Sequence, residues 1–72
     1  MTIPLGKYKH FKGSVYKVVG TAIHSETKEQ MVIYKEENTT ALWVRPLKMF
    51  TETIFHEGKE ELRFRFIEQK IV

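Results

Sequence analysis

Trp43, Arg45 and Tyr34 are the residues of this chain best suited to hold a ligand. Tryptophan, tyrosine and arginine dominate binding hot spots, because each joins a large contact area to a polar handle. Within TALWVRPLKMF, Thr40 to Phe50, Trp43 and Arg45 are two residues apart, so on a strand they share a face. Tyr34 joins that face if the intervening turn is even in register; a one-residue slip sends it inward. The rival reading is structural: Trp43 caps a small core, and Arg45 stacks on a ring or pairs with a glutamate. A mixed arrangement is expected, with Trp43 half-buried and its outer edge walling a shallow groove that Arg45 flanks. His24 and Glu26 are further binding candidates. For His24 the alternative role is to anchor a turn by bonding a backbone group, helped by Ser25 and Thr27.

A second constellation lies nearer the start. Lys7, Tyr8, Lys9, Lys12 and Lys17, interleaved with Phe11, combine cations that track phosphates with rings that stack bases, the elements of single-strand recognition. No arginine cluster or RNA-binding signature accompanies them. The plainer reading is solvated strand lysines.

Catalysis finds little support. Ser14 and Ser25 both sit beside expected turns. Ser25 directly follows His24, and neighbouring strand residues point to opposite faces, so a Ser–His pair is poorly placed. His10, His24 and His56 lack metal-ligand spacing. There is no cysteine, which removes thiol nucleophiles, disulfides and zinc–thiolate sites. No catalytic residue, metal or cofactor is therefore assigned, and the chain is read as a non-enzyme.

At 72 residues the chain makes one domain, 1–72, with 1–5 and 68–72 expected as flexible ends. A domain of this size buries only about 60% of its unfolded surface. The net charge is +3, with lysines gathered in the first third and glutamates between 51 and 62. The apolar runs are far shorter than the roughly 20 residues that span a bilayer, and the first residues lack signal-peptide character. A cytoplasmic protein without membrane contact is expected, a monomer or weak dimer.

These side chains must be positioned by strands. Lys7 to Phe11 alternates polar with aromatic, the period-2 pattern of a half-buried strand. Lys12-Gly13 offers a turn. Ser14 to His24 is a long β-favouring run in which Gly20 suggests a bulge or sharp bend. Ser25 to Gln30 is a polar turn; Thr27 and Gln30 mimic a helix capping box, but Met31 to Tyr34 is short and β-branched, so a strand is preferred. Glu37 to Thr40 turns the chain into the Leu42–Arg45 strand. Pro46 ends that strand or marks an edge, and Pro46 to Phe50 makes at most one helical turn. A hairpin follows: Thr51 to His56, a turn at Glu57-Gly58, then Leu62 to Ile67. The expected class is all-β, a small barrel of five to six short antiparallel strands. Val19, Ile23, Ile33, Leu42, Val44, Phe50, Leu62 and Phe64 form the expected core, with the Met31–Tyr34 register its weakest part.

The pieces KYKHFKG (Lys7–Gly13), VVGTAIHSETKE (Val18–Glu29), MVIYK (Met31–Lys35) and LWVRPLKMF (Leu42–Phe50) resemble the bacterial domain-of-unknown-function family sixteen fifty-three. The resemblance covers about residues 6–66. It implies an SH3-like β-barrel and brings no activity, cofactor or catalytic residue to carry over. The Glu36–Thr40 loop is shorter than the family leads one to expect, so a site bordered by it would be altered here. The combined reading is a non-catalytic module that recognises a protein segment or peptide through the Trp43–Arg45 face. The alternative is a nucleic-acid-binding barrel using the basic N-terminal hairpin.

Overall fold

Left-handed turn residues set the strand boundaries. Gly13, at φ 109°, reverses the chain between β1 (Gly6–His10) and β2 (Val15–Ile23). The His10 N–H donates to the Ser14 carbonyl across that turn. A polar turn joins β2 to β3 (Gln30–Glu36), and a looser loop containing Asn38 (φ 70°) leads to β4 (Trp43–Pro46). One helical turn, α1 (Leu47–Phe50), follows Pro46. Glu57 and Gly58, both at positive φ, close the hairpin of β5 (Thr53–His56) and β6 (Lys59–Leu62). Positive φ at both central residues matches the twist of the flanking strands. The last strand is β7 (Phe64–Gln69). The structure, a computed structural model, describes residues 3–69.

The result is all-β. Five strands form an antiparallel sheet in the order β4-β3-β2-β1-β7, and β5–β6 pair with each other. Among the described residues, seven strands replace the expected five to six. The difference lies at Leu62–Ile67, which breaks at Arg63. The Arg63 N–H donates to the Glu52 carbonyl, and its own carbonyl accepts from the Phe11 N–H. Leu62 therefore ends β6 and Phe64 begins β7. The expected end segments meet the described residues at 3–5 and 68–69. There Ile3 packs on the core, the Pro4 carbonyl accepts the Tyr8 hydroxyl, and Glu68 pairs with Lys7 across β7–β1; residues 1–2 and 70–72 lie outside the described residues.

Pairing between β2 and β3 slips between Val18 and Gly20, so Val19 is the extra residue of a bulge. The bulge is where the sequence places it. Gly20 itself is not at positive φ, and a Cβ there would meet nothing within 4 Å. Gly20→Ala should therefore keep the fold and change stability by no more than about 1 kcal/mol, with a gain from the stiffer unfolded chain. Urea denaturation of the variant measures this; a loss of several kcal/mol would show that the bulge itself requires glycine.

The core is aromatic. Tyr8, Val18, Val32, Tyr34, Leu47, Phe50 and Phe64 are buried, with Ile3 and Tyr16 packed against them. Phe50 and Phe64 stack with centroids 4.1 Å apart, and the rings of Tyr8 and Tyr34 meet Phe50 edge-on at 5.3 and 5.5 Å. Phe50 and Phe64 are thus inside, as expected. Val19, Ile23, Leu42, Val44 and Leu62 are not: all five are exposed, while Ile33 is half-buried. Val19 is the bulge residue, Ile23 lies at the end of β2, and Leu62 belongs to the β5–β6 ribbon; for Ile33 and Val44 the cause is register. Tyr34 pairs with Val18 on one side and Trp43 on the other, so Val32 and Tyr34 face inward and Ile33 and Val44 outward. Met31 to Tyr34 is apolar throughout, so period-2 alternation cannot choose its inner face. No helix among the described residues is long and apolar enough to cross a membrane.

Candidate functional site

Cross-strand partners in an antiparallel sheet project to the same side. Tyr34 opposes Trp43, and Val32 opposes Arg45. Trp43 and Arg45 therefore share a face, as their spacing implies, and Tyr34 joins them; that face is the core-bearing one, so Tyr34 both joins it and points inward. Tyr34 is largely buried at 7% exposure, whereas Trp43 stands at the sheet's rim with 57% of its surface free. Arg45, opposite Val32 on the same face, turns toward the Tyr34 hydroxyl. Its Nε lies 3.4 Å from the Tyr34 hydroxyl, and its guanidinium sits 5.8 Å from the Phe64 ring centroid. Arg45 thus lies over a ring, one of the roles expected of it.

Two residues that sequence reasoning did not single out complete the site. Tyr16 of β2 pairs with Glu36 of β3 on the same face. Tyr16, Tyr34, Glu36 and Trp43 line a pocket of about 210 Å³. The Tyr16 ring meets Tyr34 edge-on at 5.6 Å. A signal for Glu36 existed, since it follows Tyr34 by two residues and must share its face. Tyr16 could be found only by knowing how β2 pairs.

His24 and Glu26 are not brought to this site. They sit in the β2–β3 turn, beyond Gln30 at the opposite end of β3 from Glu36. At about 3.3 Å per residue, the length of β3 puts that turn roughly 20 Å from the Glu36 end. The His24 Nδ1 accepts the Glu26 and Thr27 N–H groups, each at 3.2 Å, and the Thr27 hydroxyl accepts from the Glu29 N–H. Turn anchoring accounts for His24 and Thr27. Ser25 contributes only its carbonyl, to the Lys28 ammonium.

The basic hairpin divides between the two faces. Tyr8 points into the core, 5% exposed, and burial pushes its phenol up from the ordinary value. Its ring cannot stack a base, which corrects its place in the nucleic-acid set. Lys7, Lys9 and Lys17 lie on the outer face, where Lys17 opposes both Lys7 and Lys35. Lys7 is held by Glu37 at 3.0 Å and Glu68 at 3.6 Å, and the hydrogen bond and charge of Glu37, then Glu68, raise its ammonium above the usual range. Lys12 sits in the turn, 5.8 Å from the Phe11 ring centroid. A wider hollow of about 280 Å³ runs past Lys9, His10, Phe11, Glu61 and Arg65, walled by long side chains of both charges.

His10 packs edge-on to Phe64 at 5.0 Å, and its Nδ1 accepts the Lys12 N–H. Burial, then the charges of Arg63, Lys12 and Arg45, lower its imidazole below the ordinary 6.5. The unfolded chain takes up a proton near the ordinary value, and the folded chain only at lower pH. Stability from His10 is thus full above about 6.5 and falls as pH drops through the folded value. Melting temperatures between pH 7.5 and 5 should show a decline that His10→Asn makes shallower; equal slopes would remove His10 as a cause. Among the described residues no three histidine, aspartate or glutamate side chains gather as metal ligands.

The family model described as "Protein of unknown function (DUF1653)" matches residues 6–66. Among solved structures, the crystal structure of a DUF1653 protein from Bordetella bronchiseptica is similar, with a TM-score of 0.84 and 27% identity. The match covers 97% of this chain and 94% of that one. No curated protein matches the chain.

Proposed function

The chain belongs to the DUF1653 family, and from the geometry of its own concave rim we propose that it is a non-catalytic module that binds an extended peptide segment. The observation that carries this is Trp43, a large ring left 57% exposed above a pocket whose other walls are Tyr16, Tyr34 and Glu36. Trp43 is the chain's one tryptophan, and its ring stands beside this pocket. Strand β4 strengthens the reading. It lies at the end of the sheet, and Leu42 just before it and Trp43 and Val44 within it are exposed and apolar. An unpaired edge offers main-chain hydrogen bonds to an added strand, while the adjacent pocket takes an alternate side chain. Arg45 lies over the Phe64 ring and donates toward the Tyr34 hydroxyl, which holds one wall of the pocket in place.

The nucleic-acid reading is weaker, because Tyr8 is buried and Lys7 is engaged by two glutamates. Salt separates the two. Binding through phosphates weakens steeply as salt rises, whereas binding through aromatic contacts changes little. The test is an array of immobilised extended peptides and single-stranded oligonucleotides probed with the wild-type protein and with Trp43→Ala at two salt concentrations. Retention that is salt-insensitive and lost in the variant supports peptide recognition. Retention of single-stranded oligonucleotides alone would sink it, and so would β4-to-β4 dimerisation that accounts for all loss on mutation.

A further inference from the structure

The pocket at the rim has a chemical preference written into its walls. Three of its four lining residues are aromatic, and the fourth, Glu36, is a carboxylate. Aromatic faces carry negative potential and attract organic cations. Glu36 enters none of the ion pairs formed among the described residues, so its charge is available to a guest. The lysines next in sequence to these residues are turned away: Lys17 and Lys35 oppose each other on the outer face, one residue out of phase with Tyr16 and Tyr34. Arg45, on the pocket's own face, is drawn down toward the Phe64 ring and the Tyr34 hydroxyl and does not line the cavity. A basic protein of net charge +3 has here arranged a local site with one carboxylate, three rings and no lining cation.

Resting on the peptide-binding reading above, we propose that this pocket receives an alkylammonium group, the side chain of a lysine or N-methylated lysine in the bound segment. Rings suit such a guest because an alkylated ammonium spreads its charge over carbon and is cheaply desolvated. Glu36 at one side of the pocket supplies the counter-charge and accepts any N–H that the guest retains. A carboxylate guest would meet Glu36 with like charge, and an uncharged aliphatic guest would leave that carboxylate facing apolar surface.

The experiment uses three synthetic peptides of one sequence, chosen from those retained in the array. One carries lysine, one trimethyllysine and one the neutral analogue in which the trimethylammonium nitrogen is replaced by carbon. Titrations follow the fluorescence of the protein's one tryptophan, Trp43, and variants lacking it are followed by calorimetry. The trimethyllysine peptide should bind at least fivefold more tightly than its neutral analogue. Glu36→Gln should weaken the charged peptides severalfold and narrow their advantage over the neutral one. Equal binding of cation and neutral analogue, both weakened by Trp43→Ala, overturns the cation preference and keeps the peptide reading. Indifference of all three peptides to Trp43→Ala overturns the peptide reading itself.

Discussion

Phe64→Ala is expected to leave the domain largely unfolded at room temperature or melting tens of degrees lower. Phe64 stacks on Phe50 at 4.1 Å and meets Tyr16, Tyr34 and His10 edge-on. Truncating a buried phenylalanine costs about 3–5 kcal/mol through lost transfer energy and the cavity left behind. Removal of the stacked pair adds about 0.5–1.5 kcal/mol. A chain of 72 residues has a total stability of only about 4–11 kcal/mol at the usual yield per residue. The loss is thus a large part of the whole. Phe55→Ala is the control: Phe55 is 73% exposed and its removal should change stability by no more than about 0.5 kcal/mol. Urea denaturation followed by circular dichroism compares the two. Similar midpoints for both variants would mean that the Phe50–Phe64 stack does not organise the core.

Trp43→Ala should act in the opposite way, sparing the fold and removing the proposed peptide binding. Its ring is outside the buried cluster, so truncation should cost about 1 kcal/mol of stability or less. Peptide binding should fall by about 2 kcal/mol or more, the hot-spot range for a central aromatic anchor, which is roughly a thirtyfold weaker complex. Arg45→Lys supplies the contrast. It keeps the charge but loses the planar group that lies over Phe64 and the donor aimed at the Tyr34 hydroxyl, and the two residues are not interchangeable at such a site. Its effect should appear mainly as lowered stability, with binding reduced less than by Trp43→Ala. Titration of both folded variants with one retained peptide, beside their melting curves, separates the roles. A Trp43→Ala protein that binds normally would assign the exposed ring no part in recognition.

The class of fold was readable because turn chemistry is local. Glu57-Gly58, Lys12-Gly13 and the Val19–Gly20 bulge each declare themselves within a few residues. The inner face was less readable because it depends on pairing between distant segments. Strands carrying apolar residues on both sides, such as Met31 to Tyr34, satisfy either phase, and what decided between them was the set of rings contributed from elsewhere: Phe50, Phe64 and Tyr8. Leu42 and Val44 look like core and are not, because the one-residue choice that sends Tyr34 inward sends Val44 out. The same choice carried Trp43 and Arg45 to the concave rim. Their shared face followed from spacing alone, while the identity of that face, and the arrival of Tyr16 beside it, required the β2–β3–β4 register.

The pairing of β1 with β7 has a consequence for the time course of folding. Tyr8 opposes Phe66 and His10 opposes Phe64, so contacts at the heart of the domain join residues more than fifty positions apart in the chain. Neither half of the sequence contains a core of its own: Tyr8 and Val18 wait for Phe50 and Phe64. Such long-range pairings demand loop closure before they return any energy, and domains built on them fold in milliseconds to seconds, slower than helical domains of equal size. Until β7 arrives, β1 presents an open edge to whatever strand is near. The lysines at positions 7 and 9 on that edge keep it charged during the interval, a kinetic protection that the finished sheet no longer needs.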